Sequence, residues 1–187
     1  MTIALDQLRL RPFTTDDLAD VYQGSSDPEV YKYTVFGPVS TEDTDRFLRM
    51  TISEMGKVPI WNLHLAIVER ASARLIGACA LTNISSMHQE AELGYWLCRD
   101  KWSLGYGTLV AKALVHYGFS ELKLHRVFAV CRPANKASAR VLEKAAMKRE
   151  GHLREHRLVR GKWEDSFLYS VLVHEWDPGA VQVRIEK

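Results

Sequence analysis

Apolar residues recur with period two in some runs of the chain and with helical period in others, and the two kinds of run follow a definite order. "LRLRPF" (8–13) alternates like a strand. "TTDDLADVY" then begins a helix, with Thr14 and Asp17 at capping-box spacing, and Ser40 and Asp43 repeat that spacing to open "TEDTDRFLRMTISEM". Between the two lies "GSSDPEVYKYTVFGPV", irregular and rich in aromatics. "WNLHLAIVE" and "RLIGACALT" are strand-like runs joined by the short polar link "RASA", which predicts a hairpin. A fourth strand, "EAELGYWL" (90–97), leads through "CRDK" into "WSLGYGT" (102–108).

From Gly107 the period becomes helical, with Leu109, Val110, Ala113, Leu114 and Tyr117 on one face. The strand "RVFAVC" follows, then "RPANKASARVLEKAA", where Asn135 stands as N-cap and Val141, Leu142 and Ala145 form the buried stripe. "GHLREHRLV", the turn-like "RGKW" and "SFLYSVLV" close the chain as another hairpin. Early helices, an antiparallel-looking middle and a late strand, helix and hairpin predict a mixed α/β sheet. No repeat, linker or low-complexity segment interrupts this order, so a single domain over 1–187 is expected.

Composition adds mostly exclusions. An apolar fraction of 47% with 26% charged residues belongs to a globular chain able to bury a core, not to a disordered one. A net charge of +2 is too small to point to nucleic acid. Cys79, Cys98 and Cys131 sit inside apolar runs, as unpaired structural thiols do. No apolar stretch approaches the roughly 18 residues of a membrane span, and the N-terminus lacks a long apolar region; a cytoplasmic protein without membrane partners is expected. The seven histidines form no HExxH pair, and His152 and His156 lie four apart on a strand-like run, where that spacing builds no helical zinc site, so no metal is expected.

"WSLGYGT" places two glycines, one residue apart, between a strand and a helix. Unpaired amides and the positive end of a helix dipole converge at such a junction, and absent side chains let phosphate oxygens approach. A tight connection alone would also account for it. No Lys-Ser/Thr pair follows, as a P-loop requires, and no third glycine completes a dinucleotide fingerprint.

Over nearly its full length the chain resembles the GNAT superfamily of N-acetyltransferases, and within it the RimJ/RimL type that acetylates ribosomal-protein N-termini. "LRLRPFTTDDL", "SDPEVYKY", "AELGYWLCRDKWSLGYGT", "NKASARVLEK" and "EGHLREH" carry the resemblance in order. It implies a GNAT fold: a twisted, mostly antiparallel sheet of about seven strands flanked by helices and splayed centrally to hold acetyl-CoA. The family's R/Q-x-x-G-x-G/A signature falls on Trp102 to Gly107, with Trp102 where many members carry Arg or Gln. The resemblance implies that amides of Leu104, Gly105, Tyr106, Gly107 and Thr108 hold the pyrophosphate. It also implies that Leu97, Cys98 and Arg99 pair edge-on with pantetheine.

Acetyl transfer to an amine needs a neutral amine, a stabilised oxyanion and a proton for the departing thiolate. Glu92, in the strand before the cofactor segment, is the leading candidate base, with Glu90 second or a water chain between. Alternation places Glu90, Glu92, Gly94 and Trp96 on one face and Ala91, Leu93, Tyr95 and Leu97 on the other; two carboxylates on one face also fit a plain solvated surface. The tyrosine that many family members use as acid would fall at Leu142, which cannot donate a proton. The RimL-type pattern implies Ser138 instead, although a serine there can also bond local backbone. Asn135 is expected to cap its helix, bond the pantetheine amide, or both. Direct transfer in a ternary complex follows, with a protein N-terminal amine as acceptor. A small amine (polyamine or antibiotic) and a CoA-binding module without catalysis are the competing readings. The aromatics of "YKYTVF" are expected to pack or to line an acceptor groove. The hairpin around Trp163 and the tail "DPGAVQVRIEK" are where a homodimer would form.

Overall fold

A computed structural model describes residues 1–37 and 39–186; Pro38 of the aromatic stretch and Lys187 of the tail lie outside them. The elements run β1 (Thr2–Ala4), β2 (Leu8–Arg11), α1 (Leu18–Ser25), α2 (Pro28–Tyr31), α3 (Thr41–Glu54), β3 (Leu63–Glu69), β4 (Leu75–Ser85) and β5 (Glu90–Leu97). Then come α4 (Tyr106–Ser120), β6 (Arg126–Cys131), α5 (Lys136–Lys144), β7 (Lys148–Val159), β8 (Lys162–Leu172) and β9 (Arg184–Glu186). All strands join one sheet in the order β7-β8-β6-β5-β4-β3-β2-β1-β9.

The described residues form nine strands of one sheet where about seven were expected. The short strands β1 and β9 extend one edge, β9 pairing antiparallel with β1, so the tail adds to the sheet. Three-residue strands present too little alternation to be read from pattern alone. The aromatic stretch also holds a short helix, α2, where none was read: Asp27 accepts a hydrogen bond from the Glu29 amide at 2.9 Å, and Pro28 opens the turn. The capping boxes serve two different ends. Ser40 and Asp43 satisfy each other's amides at the start of α3. Asp17 accepts from the Thr14 amide at 2.8 Å and also holds both Arg11 guanidinium nitrogens at 2.7 Å, pinning the end of β2 to the start of α1.

Helices cover both faces. Val110, Ala113 and Leu114 of α4, with Leu142 of α5, pack on Leu81, Leu93 and Val127. On the other face Val21 of α1 and Leu48 of α3 pack with Ala66, Leu75 and Ala78. Every neighbouring strand pair is antiparallel except β5 and β6, which are parallel and paired only over Glu90–Arg126, Ala91–Val127 and Glu92–Phe128. Beyond that point β5 follows β4 as far as Leu97, while β6 follows β8 as far as Cys131. The sheet is therefore split from Glu92 onward, and each side of the split ends in a helix N-terminus.

β5 is held along this open edge by β4. Gly77 pairs with Leu97, and a Cβ on Gly77 would stand 2.2 Å from the Trp96 carbonyl oxygen. Because the obstacle is backbone, the strands must move apart. Gly77→Ala is expected to destabilise the protein by about 1–3 kcal/mol, read as a lower urea midpoint with an unchanged slope.

Candidate active site

Trp102, Ser103, Leu104 and Gly105 make the turn from β5 into α4, with Ser103 at φ +63° and Gly105 at φ +83°. A Cβ on Gly105 would meet nothing within 4 Å, so its missing side chain opens space as well as permitting the backbone. The Leu109 amide donates to the Gly105 carbonyl at 3.1 Å as the helix begins. The amides of Tyr106, Gly107 and Thr108 thus lie in the unpaired first turn of a 15-residue helix. Trp102, the departure from the family signature, donates its indole N–H to the Leu97 carbonyl at 2.9 Å and ties the turn to the end of β5. Behind it Glu69 accepts from Lys101 Nζ at 3.0 Å, Tyr106 Oη at 3.2 Å and Ser72 Oγ at 2.7 Å. These bonds fix the helix start against β3.

One cavity of about 1140 Å³ runs from this turn through the split. Of the nine expected cofactor residues, Leu97, Gly105, Tyr106, Gly107, Thr108 and Asn135 line it; Cys98, Arg99 and Leu104 do not. Cys98 turns toward α1, its Sγ 2.8 Å from where Gly24 would carry a Cβ, and its amide donates to the Ile76 carbonyl at 2.8 Å. Asn135 caps α5 by accepting from the Ser138 amide at 3.0 Å. An open strand edge, an unfilled space at Gly105 and free first-turn amides suit a CoA thioester, with Arg140 and Lys144 of α5 also in the lining.

Glu92 and Ser138 both line the cavity, whereas Glu90 does not; Glu90 lies 3.7 Å from Arg126 instead. Glu92 shares its sheet face with Trp96 and the α3 side, while Tyr95, three residues on, faces α4 and α5. The two faces communicate only because the sheet is split there. The half-buried Tyr95 is not among the expected site residues, although alternation puts it on the face of Leu93 and Leu97, which the structure packs against α4 and α5. Burial pushes its hydroxyl up to about 12, and Ser138 beside it offsets part of that. Tyr95 and Ser138 both line the cavity.

Around Glu92 the chain gathers groups that no local pattern announced. Arg157 Nη2 lies 3.3 Å and 3.5 Å from its two oxygens, and Asn83 Nδ2 donates at 3.3 Å. Val30, Tyr33, Thr34, Val35 and Phe36 wall this end with Phe47 and His64, and Phe36 meets Trp96 edge-on at 6.5 Å. Guanidinium groups strap this wall. Arg132 donates to the carbonyls of Lys32 at 2.9 Å and Thr34 at 3.1 Å; Arg160 donates to those of Lys32 and Phe36 at 3.2 Å and of Gly37 at 3.3 Å. Burial holds the His64 imidazole below its ordinary range, partly opposed by Glu54.

A donor seated against amides on one side of a split sheet, with a carboxylate reached from the other, is the construction of an acetyltransferase that uses a CoA thioester. The chain belongs to the acetyltransferase (GNAT) domain family, whose match spans residues 7–148. It is an N-acetyltransferase with acetyl-CoA as donor. The uncharacterized N-acetyltransferase YnaD of Bacillus subtilis is 30% identical over 95% of this chain and 100% of its own length. A GNAT-family acetyltransferase of Bacillus anthracis superposes with a TM-score of 0.81 at 30% identity, covering 93% of this chain and 99% of that one. Two solved structures share the fold at lower identity and hold coenzyme A. RimL, a ribosomal α-N-protein acetyltransferase, is 18% identical with a TM-score of 0.82, covering 94% and 99% of the two chains. The spermidine N-acetyltransferase of Vibrio cholerae, bound to CoA and spermine, is 20% identical with a TM-score of 0.78, covering 90% and 97%. Among the described residues no cluster of His, Cys, Asp and Glu is arranged to hold a metal, and no helix is long and apolar enough to cross a membrane.

Gly105→Ala is expected to raise the dissociation constant for CoA by about tenfold, roughly the loss of one charge-assisted hydrogen bond, measured by calorimetry. Gly161→Ala, with φ +77° in the β7–β8 turn, carries a similar backbone penalty and should leave CoA affinity unchanged.

Proposed function

We propose that the chain acts as one N-acetyltransferase domain of the RimJ/RimL type over residues 1–187, moving acetyl from acetyl-CoA to a protein N-terminal α-amine by direct transfer in a ternary complex. The observation that carries the ternary reading is the continuity of the cavity. Its lining runs without a break from Gly105 through Ser138 and Glu92 to Phe36, with room for a donor and a second substrate together.

In this reading the donor enters by the α4–α5 side and the amine by the α3 side. Glu92 takes the amine's proton, directly or through water, as nitrogen attacks the thioester carbon. The tetrahedral intermediate collapses with loss of the thiolate, and the Ser138 hydroxyl relays a proton to sulfur, taking one from solvent water in the same step so that serine ends neutral. The exposed rim supports a polypeptide acceptor. Val35, Leu158 and Trp163 are 69%, 59% and 60% exposed; Val35 and Leu158 line the mouth, and Trp163 is the cross-strand partner of Leu158. Apolar groups at a mouth gain from covering the residues that follow an N-terminus, and gain little from a small polar amine.

Thiol release from acetyl-CoA, followed over peptides with free or blocked α-amines and over polyamines, tests the acceptor. Turnover should require the free α-amine; turnover on polyamines alone would overturn the peptide reading, and none on any amine would favour a binding module. Glu92→Gln is expected to lower kcat by about 10²- to 10⁴-fold. Ser138→Ala should lower kcat while the KM for acetyl-CoA stays within about twofold, the signature of an interaction made in the transition state. Unchanged turnover in either variant removes that residue from the mechanism.

A further inference from the structure

Arg157 is aimed at Glu92 by a built irregularity. Leu153 pairs with Ser166 and Arg157 with Glu164, so β7 spends four residues where β8 spends two. Glu155, inside this bulge, has φ +49°. Asp165 staples it, accepting the Glu155 amide at 2.8 Å and meeting His152 Nε2 at 2.7 Å. The staple lies wholly within the hairpin, so the bulge that carries Arg157 is fixed without help from Glu92.

The contact itself is loose. Its 3.3 Å and 3.5 Å separations exceed the roughly 2.7–2.9 Å of a strong charge-assisted bond. The Arg157 side chain is 43% exposed against 18% for Glu92, so the guanidinium can swing toward water while the carboxylate stays in the cavity. Of the other carboxylates in the lining, Glu29 is also accompanied, 3.8 Å from Lys32.

We propose that Arg157 holds, in the acceptor-free enzyme, the place on Glu92 that an acceptor ammonium would take, so that the site favours amines arriving neutral over strongly basic ones. The inference rests on the reading of Glu92 as the group that meets the amine. An α-amine, with a pKa of about 7.7–8.0, is roughly half neutral at pH 8, whereas a lysine-like amine near 10.4 is neutral in fewer than about one molecule in a hundred. A neutral amine needs no counter-ion and can approach with Arg157 in place. An ammonium must displace the guanidinium or face it across the same carboxylate, and like charges there oppose binding. Arg157 thereby converts a carboxylate that would attract any cation into a filter on basicity.

The test compares kcat/KM at pH 8 for amines matched in size and unmatched in basicity. One pair is a peptide with a free α-amine and the same peptide N-terminally blocked but carrying one lysine; the other is glycinamide and propylamine. The native enzyme should favour the less basic member of each pair it turns over. Arg157→Gln should narrow that preference by about threefold or more, the scale of a partly exposed ion pair, chiefly through a lower KM for the basic amine, and Arg157→Lys should restore it. An unchanged ratio, or equal losses on both members, would overturn the proposal and leave Arg157 as a support for Glu92. If the native enzyme turns over small amines and no peptide, the N-terminal reading fails while the small pair still decides the role of Arg157. If Glu92→Gln retains full turnover, the premise itself falls.

Discussion

Everything in this protein depends on where one parallel strand pairing stops. β5 and β6 share three registered pairs and then part, each staying with its antiparallel neighbour. Parallel strands require a long crossover, and here it is α4, so the connection that makes the pairing also delivers a helix N-terminus to the mouth of the gap. A fully zipped sheet would satisfy more backbone groups. The open edge leaves peptide groups for an extended ligand arm, the same chemistry by which peptides add to sheet edges.

The split also solves a problem of geometry. Along a strand, side chains at odd and even positions face opposite layers, so Glu92 and Tyr95 could never meet one reactant in an intact sheet. With the sheet parted, a carboxylate from the α3 side and a hydroxyl pair from the α4–α5 side line one cavity. Tight packing beside the gap keeps it from drifting: Gly77 lets β4 press against the Trp96 carbonyl, and Trp102 closes the turn onto Leu97.

Much of this was legible in the sequence, and what was not shares a physical reason. Strand-like runs gave β2 to β8, and spacing gave the two capping boxes, the Asn135 cap and the helix after the glycines, because each is a local property of a dozen residues or fewer. The resemblance placed Glu92, Ser138 and the glycine turn, and these line one cavity. Cys98, Arg99 and Leu104 do not line it, and the Cys98 amide that was expected to meet pantetheine is bonded instead to the Ile76 carbonyl, a partner no local pattern announces. The β7 bulge breaks the very periodicity by which strands are read, and Arg157, Arg132 and Arg160 act on groups 65 to 128 residues away. Nothing local encodes a partner that distant. β1 and β9, three residues each, exist only because a sheet edge was there to accept them.

The straps across the aromatic wall have a consequence for how such an enzyme diversifies. Arg132 and Arg160 hydrogen-bond that wall through main-chain carbonyls of residues 32, 34, 36 and 37, which every amino acid supplies, and Arg160 also lies over the Tyr31 ring. Tyr33 and Val35 can therefore be exchanged without removing one strap, whereas Thr34 braces the wall with a hydroxyl 3.0 Å and 2.8 Å from the Tyr31 and Phe36 carbonyl oxygens, and Phe36 packs on Trp96. Mutation is free to rewrite the surface an acceptor touches while the frame that presents it stays put, so new substrates can be sampled at little risk to the fold.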